Sequence, residues 1–156
     1  MRDLAALSVG DELPPLELPP ISRTTLALFA GASGDHNPLH IDIDAARAAG
    51  RPDVIAHGML SMAYLGTLLT THLPQAQLHS WTVRFAAVTP VHAAVTCRAT
   101  VRTVHEHDGR RTVELDLTTR LADGTTTLRG SAAFRTAPTE PTAPTDPTDP
   151  TTEAAR

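Results

Sequence analysis

The chain contains no lysine, and its 13 basic residues are arginines scattered from Arg2 to Arg156 rather than gathered into a stripe. With a formal net charge of −4, that distribution argues against a nucleic-acid or membrane-surface binder. Cysteine is nearly missing as well. Cys97 stands alone, which excludes an intramolecular disulfide and a cysteine-based metal cluster, and its apolar setting predicts a buried core thiol. Long hydrophobic runs are also lacking. The most apolar stretch, Met59 to Leu69, is too short and too interrupted for the roughly 20 residues of a membrane span. The opening Met1 to Leu7 places an acid straight after Arg2 and has no long apolar stretch, so it does not read as a signal peptide and a cytoplasmic protein is expected.

What is present fits one domain. The 156 residues, 41% hydrophobic and 19% charged, can bury one core but not two. The division expected is a folded body over residues 1–136 and a disordered tail over 137–156, where Thr-Pro and Asp-Pro repeat without apolar periodicity.

Within the body the first half reads as helical. Val9 to Leu18 is rich in proline and can supply only an edge strand or an extended arm. Ser22 is a plausible N-cap for a helix ending near Gly34, and Ala45 to Ala49 form a second short helix stopped by Gly50 and Pro52. From His57 to Leu73 the chain is apolar on most faces, the mark of a buried helix. Its small residues Gly58, Ala63 and Gly66 predict close wrapping by other backbone. After Pro74 the period approaches two, predicting strands at Leu78 to Val88, Ala93 to His105, Arg111 to Leu121 and Thr125 to Thr136. His107-Asp108-Gly109 and Ala122-Asp123-Gly124 read as hairpin turns. One buried helix and about four antiparallel strands make an α+β domain, with the sheet curled around the helix.

Two stretches could carry chemistry. In Asp35-His36-Asn37-Pro38-Leu39-His40, Pro38 breaks any helix and fixes a loop. The loop could aim the Asp35 carboxylate and His40 imidazole at one water or substrate atom, as general acid–base catalysis requires. On spacing alone a plainer reading is the stronger: Asp35 caps a turn, Asn37 stabilises it and His40 is a satisfied surface histidine. A metal site through His36, His40 and Asp42 lacks the ligand spacing that marks zinc centres. The second stretch, Val54-Ile55-Ala56-His57-Gly58-Met59-Leu60, lies where extended chain enters the buried helix. There the Gly58 N–H could meet a carbonyl oxygen at the positive end of the helix dipole, or Gly58 could simply allow close packing.

Taken together, the Asp-x-Asn-Pro-x-His loop and the Ala-His-Gly-Met-Leu helix start resemble the MaoC-like hydratase and dehydratase family, and Val83-Arg84-Phe85-Ala86-Ala87-Val88-Thr89-Pro90-Val91 resembles its strand after the central helix. The resemblance covers about residues 8 to 136. It implies a hot-dog fold, a sheet wrapped around one long helix, usually paired as a homodimer or with a related subunit. It also implies an acyl thioester of coenzyme A or acyl carrier protein as substrate, and no metal or redox cofactor. The implied reaction is reversible hydration of a trans-2-enoyl thioester, read backwards as dehydration of an (R)-3-hydroxyacyl thioester.

By the same resemblance Asp35 and His40 are the catalytic pair and Gly58 supplies the oxyanion N–H. Asn37 supports the loop and His57 shapes the substrate pocket. From their place on the central helix and adjoining strands, Met59, Leu60, Met62, Tyr64 and Phe85 are candidates for the pocket's apolar wall, though most read more readily as plain core. Some members carry a serine further along the central helix, where this chain has Ala63 and Gly66. The alternatives are the catalytic subunit of a heterodimeric dehydratase, a hot-dog acyl-CoA thioesterase, and an acyl-binding module without turnover.

Overall fold

A computed structural model describes residues 1–138, so most of the expected tail lies outside the described residues. The first half of the chain carries three helices: α1 (Arg23–Ser33), α2 (Ile43–Ala48) and α3 (Gly58–His72). Ser22 starts α1 as its sequence predicts, its Oγ accepting the Thr25 N–H at 3.0 Å, and Gly34 ends it in the left-handed region at φ 75°. The proline-rich arm contributes β1 (Leu16–Glu17), a two-residue edge strand. The remaining strands are β2 (Leu78–Phe85), β3 (Val95–His107), β4 (Arg110–Leu121) and β5 (Thr126–Arg135).

They form one five-stranded antiparallel sheet in the order β1-β3-β4-β5-β2. The β3–β4 connection is the two-residue Asp108-Gly109, with φ of 50° and 66°, the geometry that Asp-Gly favours in a tight hairpin. Inward-facing Val95, Cys97, Ala99 and Val101 of β3 and Val113, Leu115 and Leu117 of β4 are buried with Leu65, Leu68 and Leu69 of α3 in one core. The sheet therefore wraps the central helix, which is the hot-dog fold. No helix among the described residues is long and apolar enough to cross a membrane.

The packing of α3 on β2 departs from expectation. A Cβ on Gly58 would stand 3.0 Å from the Phe85 ring, and one on Gly66 would stand 3.1 Å from the Trp81 ring. Eight helical residues rise about 12 Å and four strand residues about 13 Å, so helix and strand run side by side in opposite directions, paired glycine to aromatic. The glycines thus make room for rings rather than for backbone, and Ala63 is exposed. Cys97 is buried as expected, and burial pushes its thiol up to about 12, which keeps it protonated and unreactive.

β2 also ends three residues early. The Ala86 and Ala87 N–H groups both turn onto the Thr127 carbonyl, at 2.9 and 3.3 Å, and the chain leaves the sheet there. Residues 87 to 90 then run back over the start of α3, where the Ala56 N–H donates to the Thr89 carbonyl at 2.9 Å.

Candidate active site

The loop is set by its own short-range bonds. Asn37 Oδ1 caps the single 3-10 turn Pro38–His40 by accepting the Leu39 N–H at 3.1 Å, and the Asn37 N–H donates to Asp35 Oδ1 at 3.2 Å. Two longer ties dock it on the segment before α3. The Ile55 N–H donates to the Leu39 carbonyl at 3.0 Å, and His40 Nδ1 lies 2.8 Å from the Ile55 carbonyl. A carbonyl oxygen can only accept, so Nδ1 holds the proton and neutral His40 presents a bare Nε2. That Nε2 lies 3.9 Å from Asp35 Oδ2. The gap is too long for a direct hydrogen bond and leaves a water oxygen room to bond both atoms.

His57 sits behind this pair. It is fully buried, its ring stacked on His40 with centroids 3.9 Å apart and tilted against Phe29 at 5.0 Å. By the same reasoning its Nε2–H donates to the Asp35 backbone carbonyl, 3.1 Å away. Its Nδ1 has no partner. Burial chiefly holds the His57 imidazole below its ordinary value, and the neighbouring His40 adds to that, against the opposing pull of the Asp35 carbonyl and carboxylate. His57 is thus a neutral prop that fixes both the loop backbone and the His40 ring.

One ligand atom each from Asp35, His40 and His57 lies within 4.8 Å of the others. The two rings are stacked at an interplanar angle of 27°, so their in-plane lone pairs run in nearly parallel planes and do not converge on one ion. Asp42, weighed as a ligand from sequence, is engaged instead as the cap of α2, its Oδ1 accepting from Asp44 N and Ala45 N. The donor set therefore fits proton transfer better than metal binding.

Each member of the pair lines a cavity of its own. His40 lines a pocket of about 170 Å³ with Gly58, Ser61, Phe85, Val88 and Thr127. Asp35 lines a second, of about 410 Å³, with Phe29, Met59, Met62, Ala63 and Trp81. Gly58 is the first residue of α3, so its N–H has no intrahelical partner, and it lines the smaller pocket.

Asp35, His40, Gly58, Met59 and Phe85 are accordingly brought together, with His57 behind them and Asn37 holding the loop. Leu60 and Tyr64 belong elsewhere. Leu60 is 5% exposed in the core, and Tyr64 packs against that core near Cys97. Ser61, Thr89 and Thr127 were not anticipated. Ser61 was the legible one, three residues beyond Gly58 and so on the same helix face.

The MaoC like domain family matches residues 10–124. Over 134 residues the chain is 32% identical to 3-hydroxyacyl-thioester dehydratase Z of Mycobacterium tuberculosis, spanning 76% of this chain and 82% of that protein. It is 37% identical over 83 residues to an (R)-specific enoyl-CoA hydratase of Rhodospirillum rubrum, covering 52% of this chain and 58% of that protein. For three of the curated relatives the aligned part spans only 25% to 58% of their length. The unliganded R-hydratase of Pseudomonas aeruginosa superposes with a TM-score of 0.73 at 26% identity, covering 89% of this chain and 92% of that one. Family match, relatives and fold agree, and the chain belongs to the MaoC-like dehydratase family.

Proposed function

We propose that the chain is a cytoplasmic hydro-lyase that adds water to trans-2-enoyl thioesters and removes it from (R)-3-hydroxyacyl thioesters. The observation that carries this reading is the 3.9 Å gap between Asp35 Oδ2 and His40 Nε2, one helix start away from the Gly58 N–H. Water held between the two groups loses a proton to the pair as its oxygen attacks C3. Negative charge moves onto the thioester oxygen, which the Gly58 N–H and the α3 dipole stabilise. The pair then returns a proton to C2. The two protons belong to a coupled pair rather than to separate residues.

The acyl chain occupies the apolar cavity of Phe29, Met59, Met62 and Trp81, and the thioester faces the smaller pocket beside Phe85. Asp35 keeps nearly half of its side chain exposed, and Met59, Phe85 and Val88 present apolar surface around it. A second hot-dog subunit, identical or related, is the partner that would close this open side. The thioester is carried by coenzyme A or by an acyl carrier protein.

Loss of the conjugated thioester's ultraviolet absorbance, when the protein is mixed with trans-2-butenoyl-CoA, reports hydration. Wild-type protein is expected to hydrate it, while Asp35→Asn and His40→Ala each lose about 10²-fold or more in rate with the fold intact. Release of free thiol without loss of the double bond would show a thioesterase instead. Full activity in both variants would overturn the assignment.

A further inference from the structure

The small pocket contains a polar group that the reaction above does not use. Ser61 is 2% exposed, and its Oγ has no hydrogen-bond partner. A buried hydroxyl inside a helix can satisfy itself on the carbonyl four residues earlier, as those of Thr67 and Thr70 do in this same helix at 3.1 and 2.9 Å although they are exposed. Ser61 does not. An unpaired buried hydroxyl destabilises a fold, so its placement needs a reason.

Its position supplies one. Ser61 is one turn along α3 from Gly58, on the same face, and both line the pocket that His40 enters. A thioester oxygen has two lone pairs, and the Gly58 N–H satisfies only one. Thr127, on the same wall, is already committed to Thr119 at 2.7 Å. We infer that Ser61 is the second donor to the thioester carbonyl oxygen, completing a two-donor oxyanion site with the Gly58 N–H. The bond strengthens as the oxygen gains charge, so its weight falls on the transition state rather than on binding. The inference rests on the hydro-lyase reading of the same site.

Ser61→Ala is compared with wild type using trans-2-butenoyl-CoA, with melting temperature measured in parallel. The expected result is a kcat lowered by about 10²-fold, with KM nearly unchanged, and a melting temperature equal to or above wild type, since an unsatisfied group has been removed. In an Asp35→Asn background, the infrared carbonyl band of the bound enoyl thioester should shift less to low wavenumber once Ser61 is alanine. Wild-type kcat in Ser61→Ala overturns the inference alone. So does a fall in kcat matched by a fall in melting temperature, which would make Ser61 a packing residue. Loss of kcat in Thr89→Val, with Ser61→Ala unaffected, would move the donor to the loop after β2. Wild-type protein that neither binds nor hydrates the thioester overturns this inference together with the reading it rests on.

Discussion

The loop at residues 35 to 40 and the start of α3 at residues 57 to 61 face each other across the site and are built on opposite plans. The loop is mostly exposed and bonds the atoms that hold its shape, namely the Asn37 N–H and Oδ1, Asp35 Oδ1, the Asp35 carbonyl and His40 Nδ1, leaving Asp35 Oδ2 and His40 Nε2 for the water. The helix start mixes buried and exposed residues and leaves polar groups unspent: the Gly58 N–H, His57 Nδ1 and Ser61 Oγ. One region uses hydrogen bonds to fix geometry. The other keeps them in reserve, and reserve is what a ligand can use.

The sharpest way to break this contrast is Gly58→Ala. A Cβ there meets the Phe85 ring at 3.0 Å, and Phe85 is half exposed and able to swing. Alanine favours a helix over glycine by about 1 kcal/mol, so the melting temperature should hardly fall. The displaced ring narrows the pocket, and kcat/KM should fall by about 10²-fold. Equal losses of stability and activity would show that Gly58 serves packing alone.

Next in size is the pH response of His57. Its folded value lies below that of the unfolded chain, so as pH falls below about 6.5 the unfolded state takes up the proton first and stability declines. One such site contributes at most about 1.4 kcal/mol per pH unit. Denaturation of wild type and His57→Gln between pH 5 and 8 isolates it from the other histidines, because only the wild type should carry this slope. A shared slope would remove His57 from the account.

The smallest effect belongs to the satisfied side. Asn37→Ala removes the cap of the Pro38–His40 turn and should cost about 1 kcal/mol. Activity should fall more than stability, because the Asp35 to His40 spacing depends on that turn. Urea midpoints alongside kcat would expose the reverse.

Much of this was legible in the sequence. Ser22, Gly34 and Asp108-Gly109 determine local geometry by themselves, and the alternating strands name their own inward faces. The Asp35 loop could be recognised but not judged, since its weight comes from Ile55 and His57, which only tertiary contact brings to it. Leu60 looked like pocket and is core, because helical phase turns it away from the exposed Met59 beside it. The glycines of α3 announced a close neighbour without naming it. The end of β2 at Phe85 depends on two N–H groups competing for the Thr127 carbonyl, which local pattern does not encode.

The ties that dock the loop join residues only 15 and 22 apart, whereas Phe85 and Thr127 reach the site through the pairing of β2 with β5 across the far end of the chain. During refolding the catalytic pair can therefore assemble before its pocket does. Regain of catalytic turnover should lag behind the return of helical signal, and enzyme activity becomes a clock for the last strand to join the sheet.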